Sequence, residues 1–345
     1  MRPRVDAHVA AAILAQADAV AEEVLAGTPS LRQRKPSQRR VCEAEFATHA
    51  RALAVAVDLR CPAVFRAHAR WAVRLHDAAG LPHESVHACL RAITGRMELM
   101  DLPTEARKWM AAALDAGIAA AEEPVEDAPT ELWDATTAAL HGNRAAYLAA
   151  VEAWREARGV RVALLGIAEV QRQVGEAWMR HQATVLEEHR ATALASLGLA
   201  LLAPDTWGAP GPRRHGQAVL AAAPGEYHTV GLLLAANLLE LEGDAGEVLG
   251  ASTPAVQLAV ACVERKPTLV GIAISAIDHL PAAREAIEMV RHAAPHCCIA
   301  AGGFAARAAG APALGADVLV PEQFDGRLPS HGAEESSGDL ADAVR

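Results

Sequence analysis

The sequence predicts a mainly α-helical protein that ends in an α/β domain, and three features of its 345 residues point there. Alanine-rich helical stretches fill the first 200 positions, broken at intervals by proline. An acidic, proline-containing stretch divides them at 122–130. Beyond Pro204, short continuous apolar runs alternate with helical segments, the pattern of parallel strands covered on both faces.

Taken in order, residues 8–26 read as one helix with Gly27 as its stop. Helices at 42–58, 62–79, 83–100 and 104–121 follow, with Pro62, Pro82 and Pro103 where first turns would begin. Residues 1–121 therefore form a helical domain, and 122–130 a linker. Helices near 131–140, 143–157, 160–179 and 182–202, joined by short connections, predict a four-helix bundle over 131–203. Apolar runs at 217–223, 245–249, 268–275, 297–301 and 317–320 read as strands, separated by helices at 228–242, 254–265 and 281–293. Residues 204–325 thus predict a flavodoxin-like, doubly wound sheet. The last stretch, 326–345, is rich in Gly, Ser and acid and reads as a disordered tail.

Composition excludes several classes. Hydrophobic residues make up 52% of the chain, enough for a large core, while aromatics are only 3%. The net charge of −10 argues against broad nucleic-acid binding, which rests on Lys and Arg neutralising phosphate. The basic stretch Arg32 to Arg40 is short and reads as a solvated loop. None of the six cysteines forms a CxxC pair or suggests a secreted disulfide framework. There is no apolar leader and no uncharged apolar run long enough to span a bilayer, so a cytoplasmic protein without membrane attachment is expected. No kinase, nuclease, phosphodiesterase or phosphate-loop signature appears.

Chemistry concentrates in the first strand-to-helix connection, Glu226-Tyr227-His228-Thr229-Val230-Gly231. Ligands of doubly wound sheets bind at the carboxyl ends of strands, where this loop falls. A carboxylate beside an imidazole fixes its tautomer and basicity, as metal-ligating histidines require. A following glycine admits a close backbone or a bulky ligand. Alone, such a histidine is more often a plain surface residue. The order acidic-x-His-x-x-Gly, then Ser275-Ala276-Ile277, then Gly302-Gly303, resembles the cobalamin-binding domain of methionine synthase and the corrinoid proteins. In that family the histidine replaces the cofactor's own base on cobalt, and the nucleotide tail enters a slot flanked by the serine and the glycine pair. The resemblance assigns Glu226, His228, Gly231, Ser275, Gly302 and Gly303 to cobalamin, with His228 as the lower cobalt ligand. The family's usual Asp is Glu226 here, which keeps the charge on a longer arm.

Upstream, Trp178 precedes Glu188-His189. Trp178 and Val185 are seven apart and share one face if the helix is continuous, with His189 four further on. Plain bundle packing accounts for such residues equally well. The Trp-x9-Glu-His spacing nevertheless resembles the cap of CarH-type photoreceptors over residues 131–322. The resemblance implies that Trp178 and Val185 cover the adenosyl group of adenosylcobalamin, that Glu188 and His189 line its upper face, and that light breaks the cobalt–carbon bond and shifts the bundle. It departs at Met179, where the family places a second cobalt-ligating histidine; a water on the illuminated cobalt is then expected.

The N-terminal unit does not resemble the helix-turn-helix of those photoreceptors. It clusters Arg66, His68, Arg70, Trp71, Arg74, His76, His83 and His87, with Arg66, Arg70 and Arg74 on one helical face. Such a stripe reads either as a solvated face or as a clamp for tetrapyrrole carboxylates. A helical, globin-like domain ahead of this cap is similar to the photocobilins, which implies biliverdin beside cobalamin, held non-covalently or through Cys61 or Cys89. The resemblance implies a light sensor without catalysis of its own, a homo-oligomer whose assembly responds to light, and a separate effector. The alternatives are a corrinoid carrier for methyl transfer and a heme or bilin sensor with a degenerate cobalamin domain.

Overall fold

In a computed structural model, the structure describes residues 7–27, 36–80, 84–125, 132–206 and 217–322. The tail 326–345, most of the linker, Pro82, His83 and Arg32–Lys35 lie outside the described residues. The chain divides into two compact units, one drawn from Met1–Asp127 with Ala276–Pro281 and Ala308–Leu314, the other from Ala128–Ser275, Ala282–Arg307 and Gly315–Arg345.

The first unit contains α1 (Ala7–Leu14), α2 (Ala17–Gly27), α3 (Pro36–Asp58), α4 (Pro62–Ala78), α5 (Glu84–Glu98) and α6 (Thr104–Glu122). The single helix expected at 8–26 is broken at Ala15–Gln16, where the Gln16 amide turns back to the Ile13 carbonyl. Both halves then bury their apolar faces, Val9 and Ile13 before the break and Val20, Ala21 and Val24 after it. Pro62 opens α4 as expected. α4 and α6 cross closely because Gly117 has no side chain there; a Cβ would lie 2.7 Å from the Phe65 ring. The arginine stripe of α4 is engaged at the end of α6. Arg66 pairs with Glu123 at 2.5 Å, and Arg70 donates to the Glu123 and Pro124 carbonyls at 2.7 and 2.6 Å. The Arg70 bonds satisfy the carbonyls of the two residues that follow the helix. The reading of Arg66 and Arg70 as a free carboxylate clamp is corrected accordingly. Cys89 is buried and Cys61 half-buried, both as free thiols.

His49 and His68 are buried within this unit, their Nδ1 and Nε2 atoms 2.7 Å apart. Burial, aided by Arg51, pushes the His68 imidazole down to about 4. An unfolded imidazole titrates near 6.5, so between these values the unfolded chain binds the extra proton. Stability is therefore expected to be flat with respect to this group above pH 6.5 and to fall as pH drops towards 4, by on the order of 3 kcal/mol. Urea titrations of the parent and of His68→Leu across that window test it. Parallel curves for the two proteins would refute it.

The second unit begins with α7 (Asp134–Leu140), α8 (Arg144–Arg158), α9 (Val160–Met179) and α10 (Val185–Thr206). These helices share a core that includes Tyr147, Leu164, Ile167, Val170 and Leu199. Gly166 lets Trp154 lie against α9, since a Cβ would come within 2.6 Å of the indole. Gln173 Oε1 accepts from the Trp133 amide and the Thr136 hydroxyl, tying α7 to α9.

A helix continuous from Trp178 to Val185 is not observed. The chain turns at His181, whose φ is +55°, and the Gln182 amide reaches back to the Ala177 carbonyl at 2.8 Å. That is a helix stop of the Schellman kind. α10 restarts with a capping box: the Thr184 amide donates to Glu187 Oε2 at 2.7 Å, and the Glu187 amide to Thr184 Oγ1 at 3.3 Å. Both devices are local, and they define α10 as beginning at Val185 rather than 182.

Next come β1 (Gln217–Ala222), α11 (Val230–Leu241), β2 (Ala245–Gly250), α12 (Ala255–Arg265), β3 (Leu269–Ala273), α13 (Leu280–Ala293), β4 (Cys298–Gly302), α14 (Phe304–Ala309), α15 (Ala311–Leu314) and β5 (Val318–Leu319). The strands form one parallel sheet in the order β2-β1-β3-β4-β5. The order reverses between β1 and β3, which places a crevice at their carboxyl ends. The Thr206 hydroxyl donates to Asn237 Oδ1 at 3.0 Å, joining α10 to α11. No helix of the described residues is long and apolar enough to cross a membrane.

Candidate functional site

The site is built where β1 ends. Gly225, at φ +86°, turns the chain, and its amide donates to Ser252 Oγ at 3.0 Å. The Ser252 amide in turn donates to the Glu226 carbonyl at 2.7 Å. Glu226 is thereby drawn fully into the protein, at 0% exposure. A buried carboxylate must be surrounded by donors. One oxygen, Oε1, accepts from the His228 backbone N–H at 3.0 Å and from His228 Nδ1 at 2.5 Å. The other, Oε2, accepts from the Ser275 N–H at 2.6 Å. One side chain thus links the first and third strand ends.

This contact defines the imidazole's chemistry. A carboxylate accepts only, so Nδ1 carries the hydrogen and, in the neutral ring, Nε2 keeps its lone pair. The His228 side chain is 72% exposed, with Nε2 available to a ligand. The hydrogen bond to Glu226 raises its pKa above the ordinary histidine range, opposed by partial burial and assisted by the charges of Glu226 and Glu188. The base is correspondingly strong.

Beside it, a cavity of about 400 Å³ runs between α11 and the sheet. Leu220, Leu232, Leu239, Leu269 and Val320 give it apolar walls. Six residues singled out from the sequence line it: Glu188, His228, Gly231, Ser275, Gly302 and Gly303. Glu226 lies behind the wall and acts through His228 and Ser275. At Gly303, φ is +102° and a Cβ would stand 2.4 Å from the Ile274 carbonyl oxygen. At Gly231 a Cβ would meet no protein atom within 4 Å and would point into open space.

The remaining three lie outside that lining. Trp178 is half-buried at the end of α9, Val185 is 55% exposed on the first turn of α10, and His189 is largely exposed, its Nε2 3.5 Å from Glu188 Oε2. Glu188 reaches the cavity with Thr192 and Gln171 beside it. Thr192 Oγ1 lies 2.8 Å from Glu188 Oε1 and 3.1 Å from Gln171 Oε1. Thr192, Gln171 and Arg307, which also lines the cavity, were not singled out from sequence. Thr192 stands four residues after Glu188 and Arg307 four after Gly303, a spacing that offered the signal.

The donor set suits a metal that arrives inside a macrocycle. Among the described residues no group of three or more His, Cys, Asp or Glu side chains could hold a bare ion. A single basic imidazole, oriented by a buried carboxylate, is what a metal with its equatorial positions already filled requires. The deep apolar slot beside it suits an aromatic base carried on that macrocycle.

Comparison with known families agrees: residues 216–327 match the B12 binding domain, and this part of the chain is a cobalamin-binding domain. Among solved structures the chain is similar to the monomethylamine corrinoid protein of Methanosarcina barkeri, at 14% identity over 61% of this chain and 93% of that one, with a TM-score of 0.48. It is also similar to a cobalamin-binding protein of Desulfitobacterium hafniense, at 18% identity over 56% and 93% of the two chains and a TM-score of 0.34. A third is the methanol:cobalamin methyltransferase complex of Methanosarcina barkeri, at 17% identity over 60% and 82% and a TM-score of 0.29. Comparison with the curated proteins finds no match.

Proposed function

We propose that this protein is a light sensor that holds adenosylcobalamin, with His228 ligating cobalt from below and the helical segment of Glu188 covering the upper face. The observation that carries the reading is that Glu188 and His228, from opposite parts of the unit, line one cavity. When bound, the cofactor supplies a cobalt–carbon bond that light breaks. Glu226 holds the His228 ring in its ligating tautomer, and Thr192 holds the Glu188 carboxylate. Helices 134–206 act as the two-state element, because their contacts with the cofactor differ before and after light. The protein has no catalysis of its own in this reading, and it signals through self-association or a separate effector.

The resemblance to the photocobilins extends the proposal to biliverdin in a globin-like N-terminal domain. An absorption spectrum of protein purified with both chromophores available tests that extension, a red bilin band being expected. For the main proposal, the protein is loaded with adenosylcobalamin in the dark, illuminated with green light and passed over a sizing column. Free adenosylcobalamin is itself photolabile, so elution volume is the decisive readout. A shift on illumination, diminished in Glu188→Ala, is expected; identical elution in dark and light would remove the sensor reading.

A second reading, a corrinoid carrier for methyl transfer, is favoured by one observation. Trp178, Val185 and His189 stand outside the cavity, leaving Glu188, Thr192 and Gln171 to furnish it from the helices. Preferential retention of methylcobalamin over the adenosyl form would favour that carrier.

A further inference from the structure

We propose that Arg307 grips the phosphodiester of the corrinoid's nucleotide tail, making the site selective for a complete cobalamin over a cobinamide, which lacks that tail. The inference rests on the cobalamin reading above and concerns how the same cavity chooses its ligand. Most of the cavity wall is aliphatic or glycine, which suits an uncharged aromatic base. Among the described residues that line it, Arg307 carries the one fixed positive charge. It sits on α14 four residues beyond Gly303, its amide bonded to the Gly303 carbonyl at 3.1 Å, so its position is tied to the glycine pair at the end of β4.

Arg307 is half-buried, and among the described residues its guanidinium makes no ion pair or side-chain hydrogen bond. Glu322 lines the same cavity, but it is exposed and its charge acts on Arg172. A cation partly withdrawn from water without a carboxylate carries a desolvation cost that an incoming anion relieves. A phosphodiester monoanion matches it in charge, and its two free oxygens match the planar fork of arginine. The base would enter the aliphatic slot while its phosphate meets Arg307, so one ligand satisfies both halves of the cavity. His228 is unchanged in every variant compared, so whatever it contributes in displacing the tail's base from the metal cancels between the parent and the Arg307 variants.

The test compares aquacobalamin and diaquacobinamide in equilibrium dialysis against the parent, Arg307→Met and Arg307→Lys, with thermal unfolding of each variant as a check on folding. Methionine keeps the apolar stem and removes the charge; lysine keeps the charge and removes the fork. Arg307→Met should reduce the preference for cobalamin over cobinamide by about tenfold or more, the size of losing one charge-assisted hydrogen bond. Arg307→Lys should retain part of that preference. An unchanged preference in Arg307→Met, or equal weakening of both corrinoids, would overturn the proposal. A parent that binds neither corrinoid would overturn the cobalamin reading itself, a result distinct from those two.

Discussion

Glu226→Gln should weaken cobalamin binding by roughly 10- to 100-fold, although it removes no atom and only exchanges one oxygen for an NH₂ group. The reason is the polarity of what surrounds the carboxylate. His228 presents its backbone N–H and its ring Nδ1 to one oxygen, and Ser275 presents its backbone N–H to the other. All are donors, so an amide nitrogen placed at either end faces a donor. With the nitrogen turned towards His228, the ring has two ways to relieve the conflict: it rotates away, or it moves its hydrogen to Nε2, the atom that must carry the lone pair. Either route removes the metal's ligand while leaving His228 in the chain. His228→Ala removes it outright and should abolish the histidine-ligated spectrum, the cofactor's own base remaining on cobalt. The two variants separate orientation from ligation, and the visible spectrum of bound aquacobalamin reads both. Parent-like affinity and spectrum in Glu226→Gln would refute this account of the carboxylate.

Much of this site was legible in the sequence because its parts fall at strand ends. Continuous apolar runs such as Leu269–Ala273 announce parallel strands whichever face they bury, and Glu226, His228, Ser275 and the Gly302-Gly303 pair stand at the ends of such runs or within a few residues of them. Strand limits shifted by one or two residues, since edge hydrogen bonds rather than hydrophobicity define them. What sequence could not supply lay in local stops and in partners far along the chain. The seven-residue interval from Trp178 to Val185 keeps its meaning only along one helix, and His181, in a left-handed conformation without being glycine, ends that helix. Glu188 still reaches the cavity, because the new helix begins one turn before it. Arg66 and Arg70 kept their periodic spacing, yet their partners at Glu123 and Pro124 lie more than fifty positions away. Periodicity identifies a shared face but leaves open what that face meets.

The three glycines of the site should respond to alanine in three different ways, and the contrast tests the geometry more sharply than any one of them. Gly303→Ala places a Cβ 2.4 Å from the Ile274 carbonyl oxygen and 2.8 Å from its carbon, at a φ of +102°. Those atoms are backbone and cannot swing aside. The Ile274 amide is itself bonded to the Gly302 carbonyl at 2.7 Å, and the next amide, that of Ser275, holds Glu226. Relieving the clash therefore parts β3 from β4 and disturbs the carboxylate, so a loss of about 3 kcal/mol or more is expected, from left-handed strain together with overpacking. Gly302→Ala meets the Val320 Cβ at 3.1 Å, a milder approach at an ordinary φ that a shift of a few tenths of an ångström in the segment after β5 relieves, so a loss nearer 1 kcal/mol is expected. Gly231→Ala meets no protein atom within 4 Å and lies in the first turn of α11. It should leave stability unchanged or raise it by up to about 1 kcal/mol while lowering cobalamin affinity, because its methyl group enters the space the ligand needs. Urea unfolding without cofactor and dialysis with it measure the two quantities separately. A Gly231→Ala protein that binds cobalamin as tightly as the parent would place the ligand elsewhere, and a Gly303→Ala protein of parent stability would mean that β3 and β4 do not meet as closely as described.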